Sequence, residues 1–174
     1  MQVEINPSEY TVLIVDDTIA NVLLLKVLIG NQKYRIVTAG NGMEALQAVE
    51  KESPDLILLD IMMPGMNGYE VAEKLKADPQ TQEIPIIFLT ALNSTNDIVK
   101  GFKTGASDYI SKPFNKEELL IRVTHQISLI AAKRLIASQM KELQSTIRGR
   151  DRLYSVIAHD LRSPMGSLKM IFNL

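Results

Sequence analysis

Three short, continuously apolar segments constrain the fold of this chain more than any other feature. They are Thr11–Val15, which precedes Asp16 and Asp17, Asp55–Asp60, and Ile84–Thr90. Continuous apolar runs of this length are typical of strands that are covered on both faces, as in a parallel sheet. Each run also ends at a polar residue, so polar groups are expected along one edge of the sheet.

Helical patterns separate these strands, and two weaker strands complete the series. The predicted helices are Ile19–Ile29, Gly42–Lys51, Asn67–Ala77 and Thr95–Lys103, and the weaker strands are Tyr34–Thr38 and Asp108–Ile110. Glycine and proline occur at most of the joints. Strand and helix therefore alternate five times, which predicts an open parallel α/β sheet with helices on both faces.

The chain changes character after Pro113, where a long helical pattern begins. Leu119, Val123 and Ile127 recur at helical spacing, so this part is expected to pack on the sheet as its last helix. A three-four alternation follows, interrupted once by a polar residue: Ile136, Met140, Leu143, Ile147, Arg150, Tyr154, Ile157 and Leu161. This pattern predicts a coiled-coil-like seam and a homodimer through the C-terminal helix. The two frames differ in phase near residues 131–135, which leaves a continuous helix and two helices with a bend as alternatives.

The polar residues at the strand ends predict a phosphoryl site. A strand order of 2-1-3-4-5 makes the first and third strands neighbours, so Asp16, Asp17 and Asp60 are expected to meet at the carboxyl edge of the sheet. Clustered carboxylates repel one another unless a cation joins them, and oxygen ligands suit Mg²⁺. With Lys112 and Thr90 added, Asp60 becomes a candidate nucleophile for phosphoryl transfer. For Asp16 and Asp17 alone, capping of the next helix remains an alternative.

Composition excludes several other classes of function. The chain carries 19 Lys and Arg against 20 Asp and Glu, so charge gives no reason to expect nucleic acid or membrane as a partner. The absence of cysteine excludes disulfides, thiolate zinc sites and cysteine nucleophiles. No apolar run is long enough to span a membrane, so no membrane contact in this segment and a cytoplasmic location are expected.

Four segments resemble, in order and spacing, the signature motifs of bacterial response-regulator receiver domains: Val12–Asp17, Leu58–Gly68, Leu89–Ala91 and Ser111–Phe114. The resemblance covers residues 10–130. It implies a flavodoxin-like, doubly wound, five-stranded parallel sheet, here with a long C-terminal helix. It also implies two-component signal transduction, in which a phosphohistidine donor protein or kinase domain phosphorylates the receiver.

The same resemblance implies roles for individual residues. Asp60 is the expected phosphoacceptor, and Asp17 and Asp60 the expected Mg²⁺ ligands, assisted by the backbone carbonyl of Met62 and by Asp16 through water. Lys112 is the expected counter-charge of the phosphoryl group, and its bond to Pro113 is expected to be cis. Thr90 and Tyr109 resemble the pair that switches conformation on phosphorylation. The apolar residues Met62 and Leu92 occupy positions that tune dephosphorylation, so slow self-hydrolysis is expected.

A second resemblance begins near Leu143. Ser155–Pro164 resembles the phosphoacceptor box of histidine kinases, which makes His159 a candidate phosphoacceptor and the adjacent Asp160 its proton acceptor. We therefore expect a receiver domain at 1–130 and, at 131–174, a coiled-coil-like helix that continues into the truncated first helix of a kinase dimerisation domain. The parent protein would be an ATP-dependent hybrid histidine kinase, whereas this chain, with no recognisable ATP-binding domain, is not expected to phosphorylate itself.

Two other functions are alternatives to the switch. A receiver used only as a docking and dimerisation scaffold would not need an intact acidic cluster. A hydrolase working through an aspartyl phosphate usually carries a second aspartate two residues after the nucleophile, where this chain has Met62.

Overall fold

The structure is a five-stranded, fully parallel sheet. The computed structural model describes residues 5–91 and 104–172, with side chains described as far as residue 157. The strand order is β2-β1-β3-β4-β5, which confirms the predicted topology. The strands are β1 Thr11–Val15, β2 Arg35–Ala39, β3 Leu56–Asp60, β4 Ile86–Thr90 and β5 Asp108–Ser111.

The described helices follow the sequence pattern closely. They are a short 3-10 helix at Pro7–Glu9, α1 at Ile19–Gly30, α2 at Gly42–Glu52, α3 at Gly68–Ala77 and the C-terminal helix at Lys116–Phe172. The helix predicted at Thr95–Lys103 lies outside the described residues. Among the described residues, no helix combines the length and apolar character that crossing a membrane would require.

Two apolar cores lie on opposite faces of the sheet, because successive strand residues point in opposite directions. Val12 and Ile14 of β1 pack with α1 and the C-terminal helix, whereas Leu13 and Val15 pack with α2 and α3. Every residue of β1, β3 and β4 is buried, while β2 at the sheet edge is partly exposed. Each fully buried Leu or Ile stabilises the fold by about 1.5–3 kcal/mol, so the central strands form a firm base for the residues that follow them.

In helix α2, the spacing of the large apolar residues does not by itself identify the buried face. Met43, Leu46 and Val49 are spaced one turn apart in the sequence, but Met43 is 57% exposed and the buried positions include Ala45 and Val49. Small residues therefore contribute to the packed face, and the larger Met43 projects into solvent.

The chain divides into two compact units, Met1–Ala131 and Ala132–Leu174. Within the first unit, the C-terminal helix buries Leu119, Val123, Ile127 and Ala131 in a core shared with the sheet. Within the second unit, residues 133–157 are all exposed. A single helix is assigned over Lys116–Phe172.

Candidate active site at the carboxyl edge of the sheet

The predicted acidic residues meet where β1 and β3 end side by side. Val15 pairs with Leu59 in the parallel register, so the residues that follow, Asp16 and Asp60, lie next to each other. One carboxylate oxygen from each of Asp16, Asp17 and Asp60 lies within 4.8 Å of the other two. Asp16 and Asp60 are buried and Asp17 is exposed, so the cluster opens to solvent on one side. Three oxygen ligands in this arrangement fit a hard divalent cation such as Mg²⁺.

Lys112 brings a positive charge into the cluster from the far side of the sheet. Its Nζ lies 2.7 Å from Oδ2 of Asp16 and 2.9 Å from Oδ2 of Asp60. The backbone N–H of Lys112 donates a hydrogen bond to the carbonyl of Thr90 at 2.7 Å, which fixes its position against β4. The Lys112–Pro113 bond is cis, as predicted.

Burial and charge shift the pKa values of both partners. Burial raises the pKa of Asp60; the hydrogen bond and charge of Lys112 oppose this shift, the charge of Asp16 adds to it, and the net pKa is above its ordinary value. Burial lowers the pKa of Lys112, but its bonds to Asp16 and Asp60 outweigh that effect, and the net pKa is raised. Lys112 is therefore held firmly in its charged form, while Asp60 is a comparatively basic carboxylate.

Two residues that the sequence did not single out hold Asp16 in place. Asn21 donates through Nδ2 to both carboxylate oxygens of Asp16, each at 3.1 Å. The backbone N–H of Thr18 donates to Oδ1 of Asp16 at 2.9 Å, so this carboxylate also organises the turn into α1. Asp16 therefore both stabilises the turn before α1 and belongs to the acidic cluster. Asn21 is the third residue of α1, and the helical pattern of the sequence does not indicate this contact.

Thr90 and Tyr109 lie on adjacent strands. Thr90 is the buried last residue of β4 and pairs with Ser111, whereas Tyr109 pairs with Phe88 and is half-buried. The guanidinium carbon of Arg122 lies 5.4 Å from the centre of the Tyr109 ring. Arg122 also forms ion pairs with Asp108 and Glu118 on either side, so the C-terminal helix is tied to β5 beside the tyrosine. Sequence reasoning missed Arg122, because its partner on β5 is 14 residues away.

The segment after Asp60 is shaped by a close backbone approach. A Cβ atom on Gly68 would lie 2.3 Å from the backbone oxygen of Asp60, so only glycine fits at this position. The N–H of Gly68 donates to the carbonyl of Ile61 at 2.9 Å, and Asn67 caps α3 reciprocally with Glu70. Met62 has an exposed side chain, and its N–H donates weakly to Oδ1 of Asp60 at 3.3 Å.

An apolar face of α1 lies exposed beside the acidic cluster. It consists of Ile19, Leu23, Leu24 and Val27, which are 76%, 57%, 46% and 66% exposed. Leu25 and Ile29 form the buried side of the same helix. The sequence showed that α1 is apolar around much of its circumference, but it could not tell which side is covered.

Two predicted sets of residues cannot be placed by their side chains. His159 and Asp160 belong to the C-terminal helix, but their side chains lie outside the described part of the chain. Leu92 also lies outside the described residues.

Comparison with known proteins connects this geometry to a family. The family of the response regulator receiver domain matches residues 12–124. This chain belongs to the response regulator receiver domain family. The matched residues contain the whole acidic cluster together with Lys112, Thr90 and Tyr109, so the receiver domain includes every described residue of the candidate site.

Individual relatives agree with this assignment. Response regulator PleD of Caulobacter vibrioides is 45% identical over 112 residues, which cover 64% of this chain and 25% of PleD. The signal receiver domain of a signal transduction histidine kinase from Syntrophus aciditrophicus is 34% identical, with a TM-score of 0.64, over 68% of this chain and 90% of that domain. The receiver domain of the sensor histidine kinase PA1611 from Pseudomonas aeruginosa PAO1, solved with a magnesium ion coordinated in its active-site cleft, is 28% identical, with a TM-score of 0.63, over 68% of this chain and 97% of that domain. The chain thus spans about a quarter of the length of PleD, and the matches concern the receiver domain.

Proposed function

We propose that this receiver domain is a phosphorylation-controlled switch that accepts a phosphoryl group on Asp60 from a phosphohistidine donor. The observation that carries the proposal is the position of Lys112, whose ammonium contacts both Asp16 and Asp60 inside a three-carboxylate cluster. Burying several charged groups together carries a desolvation cost, so such a cluster is a candidate functional site. Phosphoryl transfer uses such charges to stabilise the transferred group.

The transfer is a displacement at phosphorus. A carboxylate oxygen of Asp60 attacks, the bond between phosphorus and the imidazole nitrogen of the donor breaks, and the imidazole leaves with the bonding electron pair and takes up a proton. Lys112, held in its charged form, would move from the Asp60 oxygen to a phosphoryl oxygen as negative charge arrives. The raised pKa of Asp60 makes its carboxylate more basic, which favours its attack on phosphorus.

A divalent ion fits the remaining part of the cluster. Asp17 and Asp60 would bind Mg²⁺ directly, with the backbone carbonyl of Met62 as a third ligand and Asp16 acting through water. When bound, Mg²⁺ supplies the positive charge that neutralises the phosphoryl oxygens. Asn21 and Lys112 would keep Asp16 oriented toward the ion, because both donate hydrogen bonds to its carboxylate.

The switch would involve Thr90 and Tyr109. The Thr90 hydroxyl would donate a hydrogen bond to the phosphoryl group, and the Tyr109 ring would then move inward. Arg122 lies against that ring and pairs with Asp108, so a change at Tyr109 would be felt by the C-terminal helix. Couplings of this kind are typically about 1–3 kcal/mol, which is a shift of population between two states.

The phosphohistidine donor would dock on the exposed face of α1. This face begins three residues after Asp16, and its apolar side chains offer a helical donor a surface beside the acceptor. Contiguous exposed apolar residues of this kind indicate an interaction site.

Mass spectrometry tests the acceptor directly. After incubation with acetyl phosphate and Mg²⁺, the peptide that contains Asp60 should gain one phosphoryl group, and the Asp60→Asn variant should gain none. Asp78→Asn, which removes an exposed aspartate elsewhere, is the matched control and should be phosphorylated normally. A wild-type protein that neither becomes phosphorylated nor binds Mg²⁺ would instead support the scaffold function.

We further propose that residues 131–174 include the first helix of a histidine kinase dimerisation domain, with His159 as phosphoacceptor, Asp160 as its proton acceptor and a homodimer formed along the helix seam. The exposed apolar stripe supports this. It follows the narrow coiled-coil pattern up to Ile147, and it widens at Leu153 and Val156, which are 59% and 51% exposed. A wider stripe is what a helix in a bundle requires, since it packs against more than one neighbour.

The kinase assignment is tested on the parent protein. ATP-dependent labelling should disappear in His159→Gln and persist on histidine in Asp60→Asn, whereas His125→Gln should behave like wild type. Labelling that survives His159→Gln would refute the assignment of His159 without affecting the receiver.

A further inference from the structure

The second unit carries a regular apolar seam that the described part of the chain leaves uncovered. With Arg150 included, its positions alternate at spacings of three and four. Its apolar members are 42–62% exposed: Ile136, Met140, Leu143, Ile147, Tyr154 and Ile157. The seam extends over about 32 Å of helix, at 1.5 Å per residue. In heptad terms Met140, Ile147 and Tyr154 occupy a positions, and Ile136, Leu143 and Ile157 occupy d positions.

Arg150 occupies the remaining d position, between Leu143 and Ile157. Its side chain is 65% exposed, and its Nε lies 4.0 Å from Oδ1 of Asp151 in the same chain. Its guanidinium carbon is 6.0 Å from the centre of the Tyr154 ring. A dimer along the seam would bury Arg150, and a buried charge must be paired.

Parallel pairing in register supplies that partner. In such a dimer each d side chain enters a hole that is formed by the neighbouring a, d and e residues of the facing helix. For Arg150 the hole contains Asp151 of the second copy at e, with Tyr154 of the second copy beside it. In an antiparallel pair the d positions face a positions, which in this seam are apolar or aromatic, and Arg150 would lose the carboxylate.

We propose that the C-terminal helices of two copies pair in parallel and in register, and that reciprocal ion pairs between Arg150 of one copy and Asp151 of the other set this alignment. The inference rests on the proposed dimer and names the residues that define its geometry. The other flanking positions of the seam are uncharged, including Gln139, Gln144 and Thr146. Asp151 is therefore the flanking carboxylate that can select the register.

The ionic layer also makes this part of the seam the weakest. Arginine at a core position lowers dimer stability relative to leucine, in exchange for alignment. Gly149 precedes it, and a Cβ atom at Gly149 would contact nothing within 4 Å, so this glycine fills no packing need within the chain. Glycine in a helix interior destabilises the helix. The two residues together place a weak point between the narrow seam and the wider stripe that begins at Leu153.

Disulfide cross-linking tests the alignment, because the chain has no cysteine of its own. Leu143→Cys places a thiol at a d position, where a parallel, in-register dimer brings the two copies together and oxidation should link them. Ser145→Cys, on the opposite side of the helix, is the control and should stay monomeric under the same oxidant. Failure of Leu143→Cys to cross-link, or equal cross-linking of both variants, would refute the alignment and the dimer together.

Sedimentation equilibrium at low and high salt then tests the ionic layer. Arg150→Leu should tighten the dimer about tenfold and remove its salt dependence, since a buried ion pair is replaced by apolar packing. Asp151→Asn should weaken the dimer about two- to fivefold at low salt, and exchange of the two residues by Arg150→Asp with Asp151→Arg should restore wild-type affinity. Arg148→Leu is the matched control and should leave affinity unchanged.

The inference would be wrong, and the dimer still supported, if Leu143→Cys cross-links while Asp151→Asn and the exchange leave the dimer affinity unchanged. Phosphorylation of Asp60 is read out separately and is unaffected by either result.

Discussion

The ammonium of Lys112 lies 2.9 Å from a carboxylate oxygen of Asp60, although the two residues belong to segments separated by β4. The same ammonium contacts Asp16 at 2.7 Å, so one cation joins the ends of β1 and β3. Because Asp16 is completely buried at its side chain, the ammonium is part of what makes the acidic cluster tolerable in the folded protein. Four predictions follow from this arrangement and from the residues around it.

Replacing Asp60 by Asn should stabilise the protein in the absence of Mg²⁺. The pKa of Asp60 is raised above its ordinary value of 3.8, so the folded protein holds a proton there more tightly than the unfolded chain does. The free energy of unfolding therefore falls as pH rises from 3.8 through the folded-state pKa, and the penalty is complete above that pKa. Urea unfolding should show Asp60→Asn to be more stable by about 1 kcal/mol at neutral pH, with a flatter acid dependence. Added Mg²⁺ should stabilise wild type and not the variant. Equal stabilisation of both by Mg²⁺ would count against metal binding at Asp60.

Replacing Lys112 by Met should destabilise the protein at neutral pH. The substitution leaves Asp16 buried without its cation, which should lower the free energy of unfolding by about 2–4 kcal/mol. The pKa of Lys112 is raised above its ordinary value of 10.5, so its contribution is complete below 10.5 and disappears as pH rises through the folded-state pKa. Denaturant unfolding across the alkaline range should therefore show wild type approaching Lys112→Met. Lys26→Met, at an exposed lysine on α1, is the control and should unfold as wild type does.

Replacing Gly68 by Ala should disturb the acceptor. The added Cβ would lie 2.3 Å from the backbone oxygen of Asp60, so β3 and α3 would have to move apart. We expect a loss of about 1–3 kcal/mol in thermal or urea unfolding, together with slower phosphorylation by acetyl phosphate. Gly149→Ala is a matched control with open space around the added atom, and it should stabilise its helix by about 0.5–1 kcal/mol. Unchanged stability in Gly68→Ala would mean that the turn before α3 is more adaptable than its close contact indicates.

Replacing Met62 by Asn should shorten the lifetime of the phosphorylated state. Met62 is exposed next to the acceptor and its thioether cannot orient an attacking water, whereas an amide can. Loss of phosphate, followed by intact-protein mass spectrometry after removal of the donor, should become about tenfold faster. Met43→Asn, at an exposed methionine on α2, should leave the lifetime unchanged. An unaltered lifetime in Met62→Asn would refute the prediction that the apolar side chain of Met62 slows self-hydrolysis.

The sequence predicted the sheet well because its strands differ sharply from the rest of the chain. In β1, β3 and β4 every residue is buried, so their apolar runs are continuous and their ends are marked by Asp or Thr. β2 was predicted one residue early, at Tyr34–Thr38, because an edge strand is partly exposed and its pattern is less distinct. The meeting of Asp16 and Asp60 followed from strand order alone, since parallel strands end at the same edge.

Contacts that depend on side-chain reach were beyond the sequence. Asn21 could not be identified from the sequence, because a helical pattern does not indicate that its side-chain amide donates a hydrogen bond to Asp16. Arg122 lies between Glu118 and Asp108, and its choice of partners depends on how the C-terminal helix packs against β5. The exposed face of α1 was equally hidden, because Leu23 and Leu25 are the same residue type and only packing tells them apart.

The four residues of β3 that precede Asp60, Leu56–Leu59, have no exposed surface at all. The side chains of this strand are closely packed in the cores on both faces of the sheet. A shift of even a fraction of an ångström would leave gaps on one face and cause steric clashes on the other. Movement of β3 therefore cannot accommodate a charge that is added at Asp60. A conformational change on phosphorylation must therefore occur in the loops and side chains that border the acidic cluster. A partner protein would detect this change at the surface of the domain and not in its core.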